Sequence, residues 1–468
     1  MAPILGNMQA NISTLIDRTP LVPTQHPMYE QLARYQQAVA DALALAAAKG
    51  ASAAEVAVSR QSGLSVTCRH DQVETLEHNN DGALAITVYN GQQKGSASTS
   101  ELTAAALAET VDAALHIARL TSADPCHGPA DTRYLARQPA DLDLFQPWAV
   151  SAEDALELVQ RCERAALAED KCITNSEGAT LSSHNGMRAY GNSNGFIGGY
   201  LSSRHSLSCS VIASNGESME RDYSFSVGRD SRSLLLPEHV GREAGQLTIR
   251  RLGARSVPTC RLPVIFAPEV AVGLLGHLVG AISGGALYRQ SSFLLDALGE
   301  RIFPQFFTIA ERPHLHRALG SAPFDSEGVA TVDRMIVEGG ELLTYLLTSY
   351  AARRLGMEPT GHAGGIHNWL VSPTGESQAE LLQRMGTGLL ITEVMGQGVN
   401  LVTGDYSRGA AGFYVENGQI QYPISEITLA GNLRDIYRRI VAVGTDRDSR
   451  YVIQTGSLLI DGLTIAGS

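Results

Sequence analysis

The order of two periodicities constrains the fold of this chain more than any other feature of its sequence. Apolar residues recur at helical spacing over 28–48, short alternating runs follow, and helical spacing returns over 100–120. The dipeptides at 70–71 and 90–91 and the Asn-Asn-Asp-Gly run at 79–82 are typical of turns between strands. This stretch therefore predicts a helix, an antiparallel meander and a second helix.

The same order recurs further along the chain. Ser151 and Asp154 form a capping box that opens a helix, a strand-rich region spans 173–227, and helical spacing returns over 238–252. Within the strand-rich region, the predicted turns fall at the Asn-Gly dipeptides 185–186, 194–195 and 215–216. The recurrence favours a duplication of one α+β unit in the N-terminal half.

Glycine residues and strand-like runs dominate the chain beyond residue 254. Pro258 and Pro263 bracket the entry to an apolar run at 262–267, and sequential strand-like segments joined by glycine turns favour a barrel or sandwich. We therefore expect an α+β protein in three parts. These are an N-terminal extension at 1–28, a helix and antiparallel-meander domain at 29–253 with repeated units at 29–123 and 150–253, and a C-terminal β-rich, barrel-like domain at 254–468.

The composition excludes several classes of protein. Of the 468 residues, 44% are hydrophobic and 18% are charged, which is enough apolar material for packed cores and too little charge for a disordered chain. The 46 glycines show no collagen-like period. The formal net charge is −12 and the sequence contains no basic cluster, so we expect no binding to nucleic acid.

The cysteine pattern and the N-terminal sequence predict a cytoplasmic protein. The six cysteines include no CxxC pair and are too sparse for a disulfide framework. The N-terminus lacks the basic and apolar regions of a secretory signal. The uncharged stretch 270–288 contains five glycines, which weakens it as a membrane-spanning segment, so we expect no membrane association.

Familiar catalytic motifs are missing from the sequence. No GxGxxG or GxxxxGK[ST] run opens a helix, which excludes the common nucleotide-binding fingerprints. The sequence has no HExxH or HExxxH string for metal-dependent peptide hydrolysis and no GxSxG elbow for a serine nucleophile.

Two glycine-rich segments are candidates for a binding site. His362 and His367 lie in GHAGGIHNW, where either imidazole could contact a peptide, or both could bond to carbonyls within a glycine turn. Further on, Gly396 and Gly398 precede Asp405 and Arg408. Backbone amides there could accept an extended peptide by strand addition, or the glycines could mark bends of barrel strands.

A third segment, GHLVGAISGG, places Gly276, Gly280 and Gly284 four residues apart. On a helix they would form one smooth stripe, and each interior glycine costs about 1 kcal/mol relative to alanine. Close packing of another backbone is one reason for such a stripe. An altered active-site helix is the other.

Long motifs in the C-terminal half include FAPEVAVGLLGHLVGAISGGALYR, FDSEGV, TSYAARRLG, GHAGGIHNW, TGDYSRGAAGFYVENG and YPISEITLAGNL. Shorter ones in the N-terminal half are NNDGALAITVY, KGSAST and RHSLS. Together they resemble the TldE/PmbA family of the TldD/PmbA superfamily, from about residue 30 to the C-terminus. An older name for this family is modulator of DNA gyrase.

The resemblance implies one subunit of a two-chain zinc metalloprotease that cleaves unfolded or peptide substrates. TldD-type chains carry His-Glu-x-x-x-His on the matching helix, so their first ligand, general base and second ligand correspond to Gly276, His277 and Ala281. Their third ligand is a C-terminal cysteine, and no cysteine follows Cys260 here. The resemblance therefore implies no catalytic residue, metal or cofactor in this chain, and zinc in a TldD-like partner.

We accordingly expect the non-metal subunit of a TldD/TldE-type heterodimer, active in proteolysis and peptide maturation only together with its partner. The isolated chain is a candidate homodimer. The residues expected to bind substrate are His362, His367, Gly396, Gly398, Asp405 and Arg408. Two alternatives are a protein-binding modulator of DNA gyrase without protease activity, and an independent peptidase.

Overall fold

The structure, a computed structural model, describes residues 26–467, so the predicted extension at 1–28 lies almost wholly outside the described residues. A unit of helix, three strands and helix occurs twice in the N-terminal half. The first unit consists of α1 (Pro27–Ala48), β1 (Ala53–Arg69), β2 (Gln72–Asn90), β3 (Gln93–Thr99) and α2 (Ala104–Leu120). The second consists of α3 (Ala152–Leu167), β4 (Ile173–Asn192), β5 (Ile197–Ser214), β6 (Met219–Gly228) and α4 (Pro237–Ile249). The predicted repeat of element order is confirmed, as is the capping box of α3.

The two meanders join into one six-stranded antiparallel sheet of order β3-β2-β1-β4-β5-β6. The joint is the pairing of β1 with β4, which runs from Glu55 opposite Asn192 to Cys68 opposite Ala179. The two units therefore meet edge to edge, and neither leaves its first strand as a free edge.

Strand β1 contributes to the hydrophobic cores of both units. Val56 and Val58 pack with residues of α1 and α2, whereas Leu64, Val66 and Cys68 pack with residues of α3 and α4. All five are at even-numbered positions, so the twofold period of a strand places them on one face of the sheet. The four helices consequently cover the same face of the sheet. Helices α1 and α2 lie over one half of it, and α3 and α4 lie over the other half.

The predicted turns at 79–82 and 185–186 are wrong. Both segments lie inside continuous strands, β2 and β4, where they flank residues 60–63 of β1 from either side. Residues 60–63 are half-buried or exposed because they lie in the gap between the helix pair α1–α2 and the helix pair α3–α4. Turn-forming residues are tolerated there, since the sheet needs no bulky side chains to fill a core. The predicted turns at 70–71 and 90–91 are confirmed.

The C-terminal half is built mainly from short strands. Its elements in chain order are β7 (Cys260–Phe266), α5 (Pro268–Ala281), α6 (Gly284–Tyr288), β8 (Ile309–Glu311), β9 (Arg334–Glu338), β10 (Glu341–Leu342), α7 (Ser349–Leu355), β11 (Trp369–Val371), α8 (Gln378–Met385), β12 (Gly388–Met395), β13 (Val399–Asn400), β14 (Asp405–Glu416), β15 (Gln419–Asn432), α9 (Leu433–Arg438), β16 (Ile440–Val443), β17 (Ile453–Gln454) and β18 (Leu458–Ala466).

Five of these strands close into a barrel, in the order β12-β7-β18-β15-β14 and back to β12. Strand β13 extends the sheet beside β14, and β16 pairs with β18. A separate five-stranded sheet has the order β10-β9-β8-β11-β17. The predicted α+β class with a barrel-like C-terminal domain is confirmed.

Helix α5 follows barrel strand β7 directly and packs into the largest hydrophobic core. Leu274, Leu275 and Leu278 are buried among residues of the barrel and the five-stranded sheet. Within residues 26–467, no helix is long and apolar enough to cross a membrane.

Candidate functional site

Helix α5 has one buried face and one face that the rest of the chain leaves open. Gly273 and Gly276 are exposed, and a Cβ atom built at either position would meet no heavy atom within 4 Å. Close backbone packing is therefore the wrong explanation for Gly276. Gly284 lies beyond the end of α5, in α6, so the three glycines do not form one helical stripe.

His277 lies at the edge of this open face. Its half-buried ring meets the ring of Tyr406 edge-on, with 6.0 Å between the ring centroids. Burial lowers the pKa of His277, and the positive charge of Arg408 lowers it further. His277 is therefore neutral at pH 7 and can donate or accept one hydrogen bond.

The bend between β12 and β13 leads into Val399, which pairs with the Tyr406 whose ring contacts His277. Arg408 on β14 donates from Nε to the carbonyl oxygen of Met395 at 3.0 Å, which holds its side chain across the bend. The structure thus brings Arg408 together with His277, although the two residues are far apart in the sequence. We call the open face of α5 and this bend, with Gly276, His277, Gly396, Gly398 and Arg408, the α5 groove.

Two positions in this bend require glycine for different reasons. Gly396 has φ +83°, in the left-handed region, and open space where a side chain would lie. A Cβ atom on Gly398 would collide with the carbonyl oxygen of Ser407, whose amide donates to the carbonyl of Gly398 at 2.6 Å. Glycine at 398 therefore allows two backbones to approach closely, and glycine at 396 allows a sharp bend.

Asp405 points into a neighbouring turn. Its carboxylate accepts from the Thr403 hydroxyl at 2.6 Å and from the Asn432 amide at 3.3 Å. It is exposed, and these bonds hold the turn that leads into β14.

His362 and His367 lie elsewhere, in a buried cluster around Glu311. His362 Nε2 is 2.9 Å from Glu311 Oε2, and its Nδ1 is 2.8 Å from the Thr360 hydroxyl. The ring nitrogens of His367 are 3.3 Å from the Gly320 carbonyl and 3.1 Å from the Gly361 carbonyl. Neutral His367 can donate to only one of its two carbonyl neighbours, but a substrate that reached either ring would have to displace the groups packed against it.

Glu311 is the residue of this cluster that sequence reasoning missed. It also accepts from the His367 backbone amide at 2.9 Å and from Trp369 Nε1 at 3.1 Å, and Arg334 lies 3.6 Å away. Burial alone would raise the pKa of Glu311, but hydrogen bonds and charge from His362 and His367 outweigh it and hold the pKa below its ordinary value. Glu311 is the last residue of the short strand β8, and no motif in the sequence singles it out.

The residues at the family's metal positions do not fit a zinc ion. Gly276 has no side chain, and Ala281 presents only a methyl group that is fully buried in the core. Over the part of the chain that the structure describes, no group of three or more His, Cys, Asp or Glu side chains is arranged to hold a metal. A protein zinc site needs at least three such donors.

Comparison with known families matches most of the chain. Models for three successive domains of PmbA/TldA metallopeptidases match it: domain 1 at 54–118, the central domain at 145–252 and the C-terminal domain at 259–467.

Individual relatives agree with this match. Metalloprotease PmbA of Escherichia coli O157:H7 is 56% identical over 432 residues, which cover 92% of this chain and 96% of that protein. A metalloprotease TldD homolog of Haemophilus influenzae is 23% identical over 78% of this chain and 79% of its own length.

Solved structures share the fold. A Bacteroides thetaiotaomicron protein described as a modulator of DNA gyrase has a TM-score of 0.88 at 28% identity, covering 92% of this chain and 99% of its own. TldE from Thermococcus kodakarensis has a TM-score of 0.78 at 18% identity, covering 92% of this chain and 100% of its own. With three matched domains and close relatives along nearly its whole length, the chain belongs to the PmbA/TldD metallopeptidase family.

Proposed function

We propose that this chain is the non-metal subunit of a two-chain peptidase of the TldD/TldE type. In this proposal a TldD-like partner supplies the zinc ion, and this chain binds the backbone of an unfolded substrate and completes the chamber. The proposal rests on the residues that α5 carries at two positions. At the positions where TldD-type chains carry metal ligands, this helix offers Gly276 in open space and Ala281 in the core.

The α5 groove suits an extended backbone better than it suits catalysis. The missing side chains at Gly273 and Gly276 leave room beside the helix, and the exposed bend at Gly396 faces solvent. His277 is neutral and can hydrogen-bond to a peptide group. Its neighbours are Tyr406 and Arg408, so among the described residues no carboxylate orients it as a general base.

His362 and His367 have a structural role in this proposal. Their ring nitrogens already have protein partners, and the Glu311 cluster stabilises the glycine turn between them. Six cysteines without a disulfide are consistent with a reducing compartment, so we place the pair in the cytoplasm.

Zinc content and peptidase activity test the proposal directly. We expect the purified chain to bind less than one tenth of an equivalent of zinc and to cleave no unfolded peptide. Mixed with a TldD-like chain, it should form a complex with one zinc ion per pair and cleave the peptide. One equivalent of zinc together with peptide cleavage by this chain alone would overturn the proposal.

A substitution in the α5 groove tests the binding role. Arg408→Ala should raise the KM of the mixed pair about tenfold with little change in zinc content, because it removes a cation and frees the bend at Met395. Arg242→Ala, at an exposed arginine on α4, serves as the matched control and should leave KM unchanged. Equal KM values for the two variants would show that substrate does not reach the groove.

A further inference from the structure

A cavity of about 230 Å³ lies between the N-terminal sheet and the barrel, away from the α5 groove. Its walls come from β6, α4, the first turn of α5, the start of α8, strands β12 and β14, and the segment before β17. The proposed peptidase role does not use it. Its volume is below the usual range for drug-sized ligands, so it can hold one side chain or one small molecule.

Aromatic rings form one wall of this interdomain cavity. Phe225 stacks with Tyr223 at 6.2 Å between centroids and meets Tyr451 edge-on at 5.9 Å. Tyr451 is half-buried, and burial raises its pKa to about 12, so its hydroxyl stays neutral. Such a wall can pack an aliphatic chain and can attract a cation to the ring faces.

The guanidinium groups at the cavity are largely neutralised. Arg450 makes a two-pronged ion pair with Asp448, with its shortest contact at 2.7 Å. Arg251 contacts three carboxylates, those of Glu220, Asp222 and Glu393.

Arg250 is exposed and lies over the Phe413 ring, with 4.7 Å from its Cζ atom to the ring centroid. Water therefore screens its charge. None of these three arginines brings an unmatched positive charge into the interior of the cavity.

Among residues 26–467, two carboxylates at the cavity, those of Glu269 and Glu243, have no basic partner in direct contact, although both interact electrostatically with Arg450. The side chain of Glu269, in the first turn of α5, makes no ion pair with any of residues 26–467. Glu243 accepts a hydrogen bond from the neutral Ser224 hydroxyl. Glu269 lines the cavity but is exposed to solvent; neighbouring protein atoms desolvate its carboxylate in part and raise its pKa, and the charge of Arg450 acts in the opposite direction. A cation placed on Glu269 would relieve that cost.

We propose that this cavity binds a primary ammonium or guanidinium group on a short aliphatic chain, with Glu269 pairing the charge and Tyr223, Phe225 and Tyr451 packing the chain. The cation could come from a free alkylamine or from a lysine or arginine side chain of a peptide. The proposal does not depend on the metallopeptidase partner.

Calorimetric titration of the full chain tests the ligand chemistry with a matched pair of probes. We expect n-pentylamine to bind at least tenfold more tightly than pentan-1-ol, which has the same chain without the charge. Equal affinities, or no binding of n-pentylamine, would overturn the proposal. A second pair, the peptides acetyl-Gly-Gly-Lys-Gly-Gly-amide and its norleucine analogue, identifies the source. Lysine-dependent peptide binding indicates a side-chain site, and amine binding alone indicates a free-amine site.

The position of the charge is tested by Glu269→Gln, which keeps the shape of the side chain. We expect it to weaken n-pentylamine binding at least tenfold. Glu153→Gln is the control, since Glu153 is also exposed in the first turn of a helix, α3, but does not line the cavity. Both variants should keep the circular dichroism of the parent chain. Unchanged amine affinity in a folded Glu269→Gln protein would exclude Glu269 as the pairing group.

Discussion

Contacts from four residues converge on the buried carboxylate of Glu311. They come from His362, His367, Trp369 and Arg334. Removing one member of such a buried charged network is costly, because its partners are left with unpaired polar atoms. At the residue scale, this cluster gives the histidines of GHAGGIHNW a structural explanation that does not need a ligand.

We predict that Glu311→Gln destabilises the C-terminal domain by about 3 kcal/mol at pH 7. Because the folded pKa of Glu311 lies below its ordinary value, its contribution is present above the unfolded pKa of about 4.3 and is lost as pH falls through the folded pKa. The difference between the two proteins should therefore shrink as the pH is lowered towards that range.

The chain offers a direct probe for this measurement. It has two tryptophans, Trp148 and Trp369, so in a Trp148→Phe background Trp369, beside Glu311, is the sole tryptophan and can be excited selectively over the tyrosines. Urea unfolding followed by its fluorescence at several pH values measures the effect, with Glu153→Gln as an exposed control. Equal stability at pH 7 with and without Glu311→Gln would contradict the structural role.

At the element scale, α5 combines a packed face with a face that Gly273 and Gly276 leave open. Interior glycines destabilise a helix by about 1 kcal/mol each relative to alanine, and Gly276 has no packing contact that would offset this cost. The unfavourable glycine on this open face is best explained by a need for space beside the helix. This links the sequence of α5 to the proposed passage of a substrate or partner backbone.

We predict that Gly276→Ala stabilises the isolated chain by up to about 1 kcal/mol and lowers the activity of the pair with a TldD-like chain severalfold. Gly398→Ala is the contrasting variant, since its Cβ would collide with the Ser407 carbonyl and should cost about 1–3 kcal/mol. Thermal unfolding and peptide cleavage measure the two effects. A destabilising Gly276→Ala would show that the face is not open.

Local pattern was sufficient to predict most elements and not their assembly. Helical spacing predicted α1 and α4, and the Ser151–Asp154 capping box predicted the start of α3, because these signals depend on neighbours in the sequence. The turn prediction at 185–186 failed, since strand pairing with β1 outweighed the Asn-Gly preference. His277 with Arg408, and His362 with Glu311, meet only through tertiary structure, which no local spacing encodes.

At the scale of the whole molecule, the repeated units are not independent. Leu64, Val66 and Cys68 belong to the first unit by sequence, yet they pack in the core of the second. Full burial of an aliphatic side chain is worth about 1.5–3 kcal/mol. Without the second unit, Leu64, Val66 and the smaller Cys68 would lose their packing partners. The free energy of unfolding of the first unit would therefore fall by about 5 kcal/mol, which is comparable to the whole stability of a small domain.

We therefore predict that a fragment of residues 26–123 does not fold cooperatively alone, whereas a fragment of residues 26–253, which keeps both cores of the sheet, does. Near-ultraviolet circular dichroism, binding of a hydrophobic dye and urea unfolding distinguish the two states. Adding a fragment of residues 145–253 to the shorter fragment should restore cooperative unfolding, because β4 would again pair with β1 and α3 would again cover its exposed half. Cooperative folding of 26–123 alone would mean that the edge of β1 and its second core are dispensable, and the duplicated unit would then be a domain in its own right.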